Sequence, residues 1–125
     1  MLLFLLGLIT GLMTAQFRNP RMGLSAHMEG ILNGIFLVIV GIIWHELKIS
    51  RSLGKITYAT LIYGSFANWI TTFAAALLGT SQMTPLIGSG FHGTAFQEQL
   101  VTAGFISVGL TMLFSLVVII YGLRK

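Results

Sequence analysis

The chain has 125 residues, 55% of them hydrophobic and 8% charged, with a formal net charge of +4 and a mean hydropathy of +0.91. A soluble domain carries about 25% charged residues, so this composition excludes a surface wetted on all sides and points to the lipid bilayer as solvent. The absence of cysteine excludes disulfides, thiolate nucleophiles and thiolate-bound zinc or iron. The small basic excess bears on orientation in a bilayer and implies no nucleic-acid partner.

Inside a bilayer every backbone polar group must be satisfied within the protein, which leaves helices and closed barrels. The apolar runs are continuous and lack the alternation of barrel strands. The expected fold is therefore all-α, an integral-membrane four-helix bundle forming a single transmembrane domain over residues 1–125. The first helix is expected over 2–17, a run without charge and somewhat shorter than the ~30 Å hydrocarbon core. No basic segment precedes Leu2, so it reads as a retained helix rather than a signal peptide. Arg18, Asn19, Pro20 and Arg21 interrupt the run, with Pro20 as a stopper. The second helix is expected over 23–47 and the third over 56–78, separated by the polar stretch Lys48 to Lys55. A segment rich in Gly, Ser and Thr follows from Gly79 to Phe96, and the fourth helix is expected over 97–123, with Gln97 and Glu98 capping its start.

Four spans place the 48–55 loop and both chain ends on one face. That face carries Lys48, Arg51, Lys55, Arg124 and Lys125, against Arg18 and Arg21 on the other. The positive-inside rule then puts both termini in the cytoplasm, for a multi-pass protein of the inner (cytoplasmic) membrane. Gly7 and Gly11, and Gly30 and Gly34, have the four-residue spacing that brings helix backbones together, and Gly41 extends the second stripe.

Polar side chains within apolar helices mark function by default. The second helix gathers them in Ala26-His27-Met28-Glu29-Gly30-Ile31-Leu32-Asn33-Gly34. At about 100° per residue Glu29 and Asn33 share a face, while His27 looks to another side. An imidazole nitrogen of His27 suits a metal or haem iron, or a hydrogen bond at the helix end. Glu29 is a proton shuttle or a partner for Arg18 or Arg21, and Asn33 serves a site or a helix contact. On the third helix Asn68, Gly64, Thr71 and Thr72 fall within one broad face, Tyr63 lies roughly opposite as packing, and Trp69 lines a pocket or a contact. His45, roughly 27 Å along the axis from His27, reads as an interface residue. His92, in the loop, is solvated or approaches His27.

The segment His27-x-x-Gly30-x-x-Asn33-Gly34, preceded by Ala26, resembles a motif of styrene oxide isomerase and hydroxylaminobenzene mutase, both small four-helix membrane enzymes. Asn68 falls without a gap where styrene oxide isomerase has an asparagine. The likeness spans the second and third helices and, more loosely, the glycine-rich loop. It implies a homotrimer binding haem b between subunits, with His27 as axial ligand to the iron and Asn33 on the substrate side. Thr72 stands where styrene oxide isomerase has an assisting tyrosine, and the segment Tyr63 to Trp69 looks more like the mutase branch.

The expectation is thus a haem-dependent mutase acting on a small lipophilic aromatic substrate. The iron on His27 polarises the substrate oxygen, and Asn33 and Asn68, with Glu29 and Thr72, orient it as charge develops. Epoxide isomerisation is one alternative. A b-type electron carrier with His27 and His92 as paired ligands is another. A small multidrug exporter needs a carboxylate within its first helix, and Leu2 to Phe17 contains none.

Overall fold

A computed structural model describes residues 1–124, and among these residues every regular element is helical: α1 (Leu2–Leu12), α2 (Pro20–Ile43), α3 (Arg51–Leu78) and α4 (Ala95–Leu123). Single 3-10 turns at Thr14–Gln16 and Trp44–Glu46 follow α1 and α2. The all-α expectation with four helices is met. Three of the four, α2 to α4, are long and apolar enough to cross a membrane. With 11 residues, α1 extends only about 16 Å.

The element boundaries differ from those expected, each for a local reason. The first helix closes at Leu12 instead of 17: the Thr14 hydroxyl takes the Gly11 carbonyl at 2.5 Å, and a side chain that competes for helix carbonyls tightens or ends the last turn. Phe17 then turns extended and buries edge-on against Phe73, with ring centroids 5.1 Å apart. Pro20 opens α2 rather than stopping the chain. It stands at the first helical position, where no N–H is needed, and the Asn19 side chain accepts from Met22 N at 3.2 Å. Ser50 caps α3 through Leu53 N at 3.3 Å, which draws Arg51 and Lys55 out of the expected loop and into the helix. Thr94 and Gln97 form a reciprocal capping box at the start of α4, so Gln97 caps as expected.

The helices pack in chain order, α1 on α2, α2 on α3 and α3 on α4, and each pair is antiparallel. Gly7 lies against Gly30, Gly11 against His27 and Gly34 against Phe4, so one register runs down as the other runs up. A Cβ on Gly30 would fall 2.4 Å from the Gly7 Cα, and one on Gly34 would fall 2.6 Å from Phe4 N. Backbone meets backbone along this seam, as the paired glycines predict. Gly41 departs from the expectation: no atom lies within 4 Å of a Cβ built there, because α1 begins opposite Leu37 and Val38 and leaves the last turns of α2 uncovered. Two apolar clusters close the ends of the assembly. Phe17, Met22, Ala75, Ala76 and Val101 form one, and Val40, Leu61 and Ile119 the other. Outside them, large apolar side chains such as Leu12, Leu32, Ile42, Leu110 and Ile120 are exposed.

The connection between α3 and α4 is fastened to the start of α2. Asn19, fully buried, gives its Nδ2 to the Ile87 carbonyl and its backbone N–H to that of Ala76. Arg18 donates to the carbonyls of Leu78 and His92, and Arg21 donates to that of Ser89. From the other side Glu98 accepts the backbone N–H groups of Ser81, Gln82 and Gly93 at 3.0–3.2 Å. The last turn of α3 ends on Gly79 in the left-handed conformation (φ +69°), which glycine adopts without a Cβ penalty.

Gly30→Ala should force α1 off α2 and lower stability by about 1–3 kcal/mol, the usual cost of overpacking. Gly41→Ala, which meets nothing, should leave the thermal midpoint in detergent unchanged. Equal midpoints for the two variants would show that the glycine seam does not hold α1.

Candidate active site

Near the middle of α2 and α3 three of the expected site residues meet. Glu29 Oε2 accepts from Asn33 Nδ2 at 3.0 Å, one turn along α2, and from Asn68 Nδ2 at 2.5 Å across the helix pair. Asn33 is buried at 8% exposure, and Glu29 and Asn68 are half-buried. In an apolar medium an unpaired carboxylate or carboxamide is costly, and the three groups satisfy one another here. Thr72 stands one turn beyond Asn68, buried, with its hydroxyl on the Asn68 carbonyl at 2.9 Å. It therefore backs Asn68 instead of reaching into the cluster. Arg18 and Arg21, the other partners considered for Glu29, are engaged on the carbonyls of Leu78, His92 and Ser89.

His27 lies on the other side of α2, against α1. Its Nδ1 is 2.8 Å from the Gly7 carbonyl, and since a carbonyl only accepts, Nδ1 carries the proton. The half-buried ring rests over Gly11, where a Cβ would fall 2.5 Å from Nδ1. Gly11 thus makes room for the imidazole, a role beyond helix contact. With Nδ1–H held by a backbone carbonyl, Nε2 has no hydrogen-bond partner among the described residues. A metal-ligating histidine is commonly held in this way, by a carbonyl on the nitrogen that does not bind, so the donor chemistry of His27 fits a residue that would hold haem iron. No group of three or more His, Cys, Asp or Glu side chains gathers among the described residues, so they do not build a polydentate site for a free metal ion.

The remaining candidates are dispersed. Trp69 makes a helix contact: its Nε1 donates at 3.1 Å to the Thr10 hydroxyl, which itself donates to the Leu6 carbonyl. Tyr63 is 51% exposed and pairs its hydroxyl with Ser107 at 2.9 Å, in place of the packing role expected. His45 is exposed beside Glu46, at 3.0 Å. His92 offers its carbonyl to Arg18 and makes no hydrogen bond with His27. Glu98, expected as a plain helix cap, is the anchor of the loop.

Across residues 1–124 the chain matches the family model described as styrene oxide isomerase. The chain belongs to the styrene oxide isomerase family. Hydroxylaminobenzene mutase HabB of Ectopseudomonas oleovorans is 42% identical over 124 residues, covering 98% of this chain and 76% of the relative. Hydroxylaminobenzene mutase HabA of the same organism is 36% identical over 126 residues, covering 100% of this chain and 93% of the relative. No solved structure matches the chain. As a member of the styrene oxide isomerase family related to mutases, the chain is an enzyme, an isomerase.

Two residues that organise the site region escaped the sequence reading. Asn19 joins the start of α2 to the end of α3 and to the loop, and the Asn-Pro pair opening an apolar run was its signal. Thr10 receives Trp69, and nothing in the sequence distinguishes it from a hydroxyl bonded within its own helix. Asn33→Ala and Asn68→Ala each remove one donor from Glu29 and should each cost about 1–3 kcal/mol. Sharing one acceptor, they should couple by more than about 0.5 kcal/mol in a double-mutant cycle. Strict additivity in denaturation experiments would show that the shared carboxylate does not link α2 to α3.

Proposed function

We propose that the chain is a membrane-embedded mutase that converts an arylhydroxylamine into an aminophenol. The N–O bond breaks, a C–O bond forms on the ring, and the hydroxyl stays within the molecule, so no oxidant or reductant is consumed. The observation that carries this reading is the meeting of Glu29, Asn33 and Asn68 in a chain whose relatives are hydroxylaminobenzene mutases. An apolar aromatic substrate dissolves in the bilayer and reaches a mid-helix site from there. The exposed apolar faces of α2 to α4 support multi-pass insertion.

His27 is the residue that would hold haem b, through Nε2, with Nδ1–H on Gly7 keeping the ring oriented. When bound, the haem supplies a Lewis-acidic iron for the substrate oxygen. Asn33 and Asn68 orient the substrate by hydrogen bonds, Glu29 holds both carboxamides, and Thr72 steadies Asn68 through its carbonyl. The burial of Asn33 and Thr72 limits water, which would otherwise capture an electron-poor arylnitrogen species. His27 and the Glu29 cluster look out from different sides of α2, an arrangement suited to a site shared between subunits of a homotrimer.

The orientation proposed is the inner membrane with both termini cytoplasmic. The Lys48 N–H bonds the Gly122 carbonyl at 2.8 Å, which sets the α2–α3 connection beside the end of α4. Lys48, Arg51, Lys55 and Arg124 thereby collect at one end, with Arg18 and Arg21 at the other. This is the asymmetry of a positive-inside protein.

Purified wild type should rearrange phenylhydroxylamine and show a Soret band. His27→Ala should remove the band and lower kcat/KM by more than about 100-fold. A colourless preparation with full activity would overturn the haem assignment, and an inactive haem-loaded preparation would overturn the mutase assignment. Since the chain lacks cysteine, single cysteines report its orientation. Ser89→Cys should react with an impermeant maleimide in intact cells, whereas Ser50→Cys should react only in inverted vesicles; the reverse pattern would refute the orientation.

A further inference from the structure

The α2–α3 cluster contains one carboxylate and two carboxamides, and their unequal chemistry dictates which atoms remain for a ligand. A carboxamide presents an acceptor oxygen and a donor nitrogen of nearly the same size, so shape alone does not choose which end points where. An ionised carboxylate oxygen only accepts. Glu29 Oε2 receives both Asn33 Nδ2 and Asn68 Nδ2, so both carboxamides are turned nitrogen-first toward it. Neither carboxamide oxygen has a hydrogen-bond partner among the described residues.

We propose that Glu29 is a positioning residue that sets the polarity of Asn33 and Asn68, so that the site offers two acceptor oxygens and selects substrates bearing an O–H or N–H donor. This rests on the mutase reading above and specifies the substrate class: an arylhydroxylamine carries both donors, whereas an epoxide carries none. Placing an acceptor-only oxygen before two amide oxygens sets acceptor against acceptor, and a site built to hydrogen-bond a substrate O–H or N–H discriminates strongly against the analogue lacking it. Glu29 acts through the two asparagines and need not touch the substrate.

The test compares two unreactive ligands, benzyl alcohol and benzyl methyl ether, as competitive inhibitors of phenylhydroxylamine turnover by the holoenzyme. In the wild type the alcohol should bind at least about tenfold more tightly than the ether, a discrimination of roughly one hydrogen bond. In Glu29→Gln the new carboxamide both donates and accepts, either polarity becomes available, and the ratio should fall to within about threefold. A merely structural role for Glu29 would lower activity without moving this ratio. A tenfold ratio retained in folded Glu29→Gln, or equal affinities in an active wild type, overturns the inference while leaving the mutase reading intact. A wild type inactive on phenylhydroxylamine overturns the mutase reading itself. Should Glu29→Gln fail to fold, Asn68→Ser replaces one oriented oxygen by a hydroxyl that can donate. The ratio should again fall, and its retention overturns the proposal.

Discussion

Carboxylate and carboxamide groups are costly to hold in an apolar environment, and Glu29, Asn33 and Asn68 are tolerable near the middle of these helices because each supplies what another lacks. Glu29 has an oxygen that accepts from both asparagines, and the two asparagines have N–H groups to place. Closing that exchange requires α3 to present Asn68 to α2 at one rotation and one height, so the hydrogen bonds that satisfy the cluster also set the helix pair in register. Removing Glu29 leaves both carboxamide nitrogens unpaired, and removing either asparagine takes one donor from Glu29. A site of this kind cannot drift without losing stability, which is how a small chain keeps reactive polar groups in order.

The seam between α1 and α2 works by subtraction. Gly7, Gly11, Gly30 and Gly34 lack the atoms that would separate the two backbones. The close approach gives the Gly7 carbonyl to His27 and the Thr10 hydroxyl to Trp69. The 11-residue α1 thus orients the imidazole that would hold iron. α1 covers His27 and does not reach Gly41, leaving the far end of the α2–α3 groove open.

At the other end, basic and acidic side chains are spent on backbone rather than on one another. Arg18 and Arg21 satisfy carbonyls of the loop, Glu98 satisfies three of its N–H groups, and Asn19 binds it from beneath. A loop of 16 residues between long helices stays ordered because its polar groups are taken up by residues that a charge count would assign to the solvent or to orientation.

Much of this was legible from residue types alone. Hydropathy and charge selected an all-helical chain, since only helices hide their own backbone without alternating polarity. Glycine spacing announced the α1–α2 seam, and the placement of Glu29 and Asn33 four residues apart put them on one face. The motif around His27, Gly30 and Asn33 pointed to the family. Helix ends were less legible, because Asn19, Ser50 and Thr94 cap through side-chain geometry that propensity does not express. Only the tertiary structure decided that Glu29 faces Asn68 rather than an arginine, that His27 donates a hydrogen bond to the Gly7 carbonyl, and that Thr72 stands behind Asn68. Helical periodicity assigns a residue to a face of its own helix. Which group from another helix meets that face depends on the rotation and height at which the helices pack, and that is settled jointly by contacts far apart in the chain.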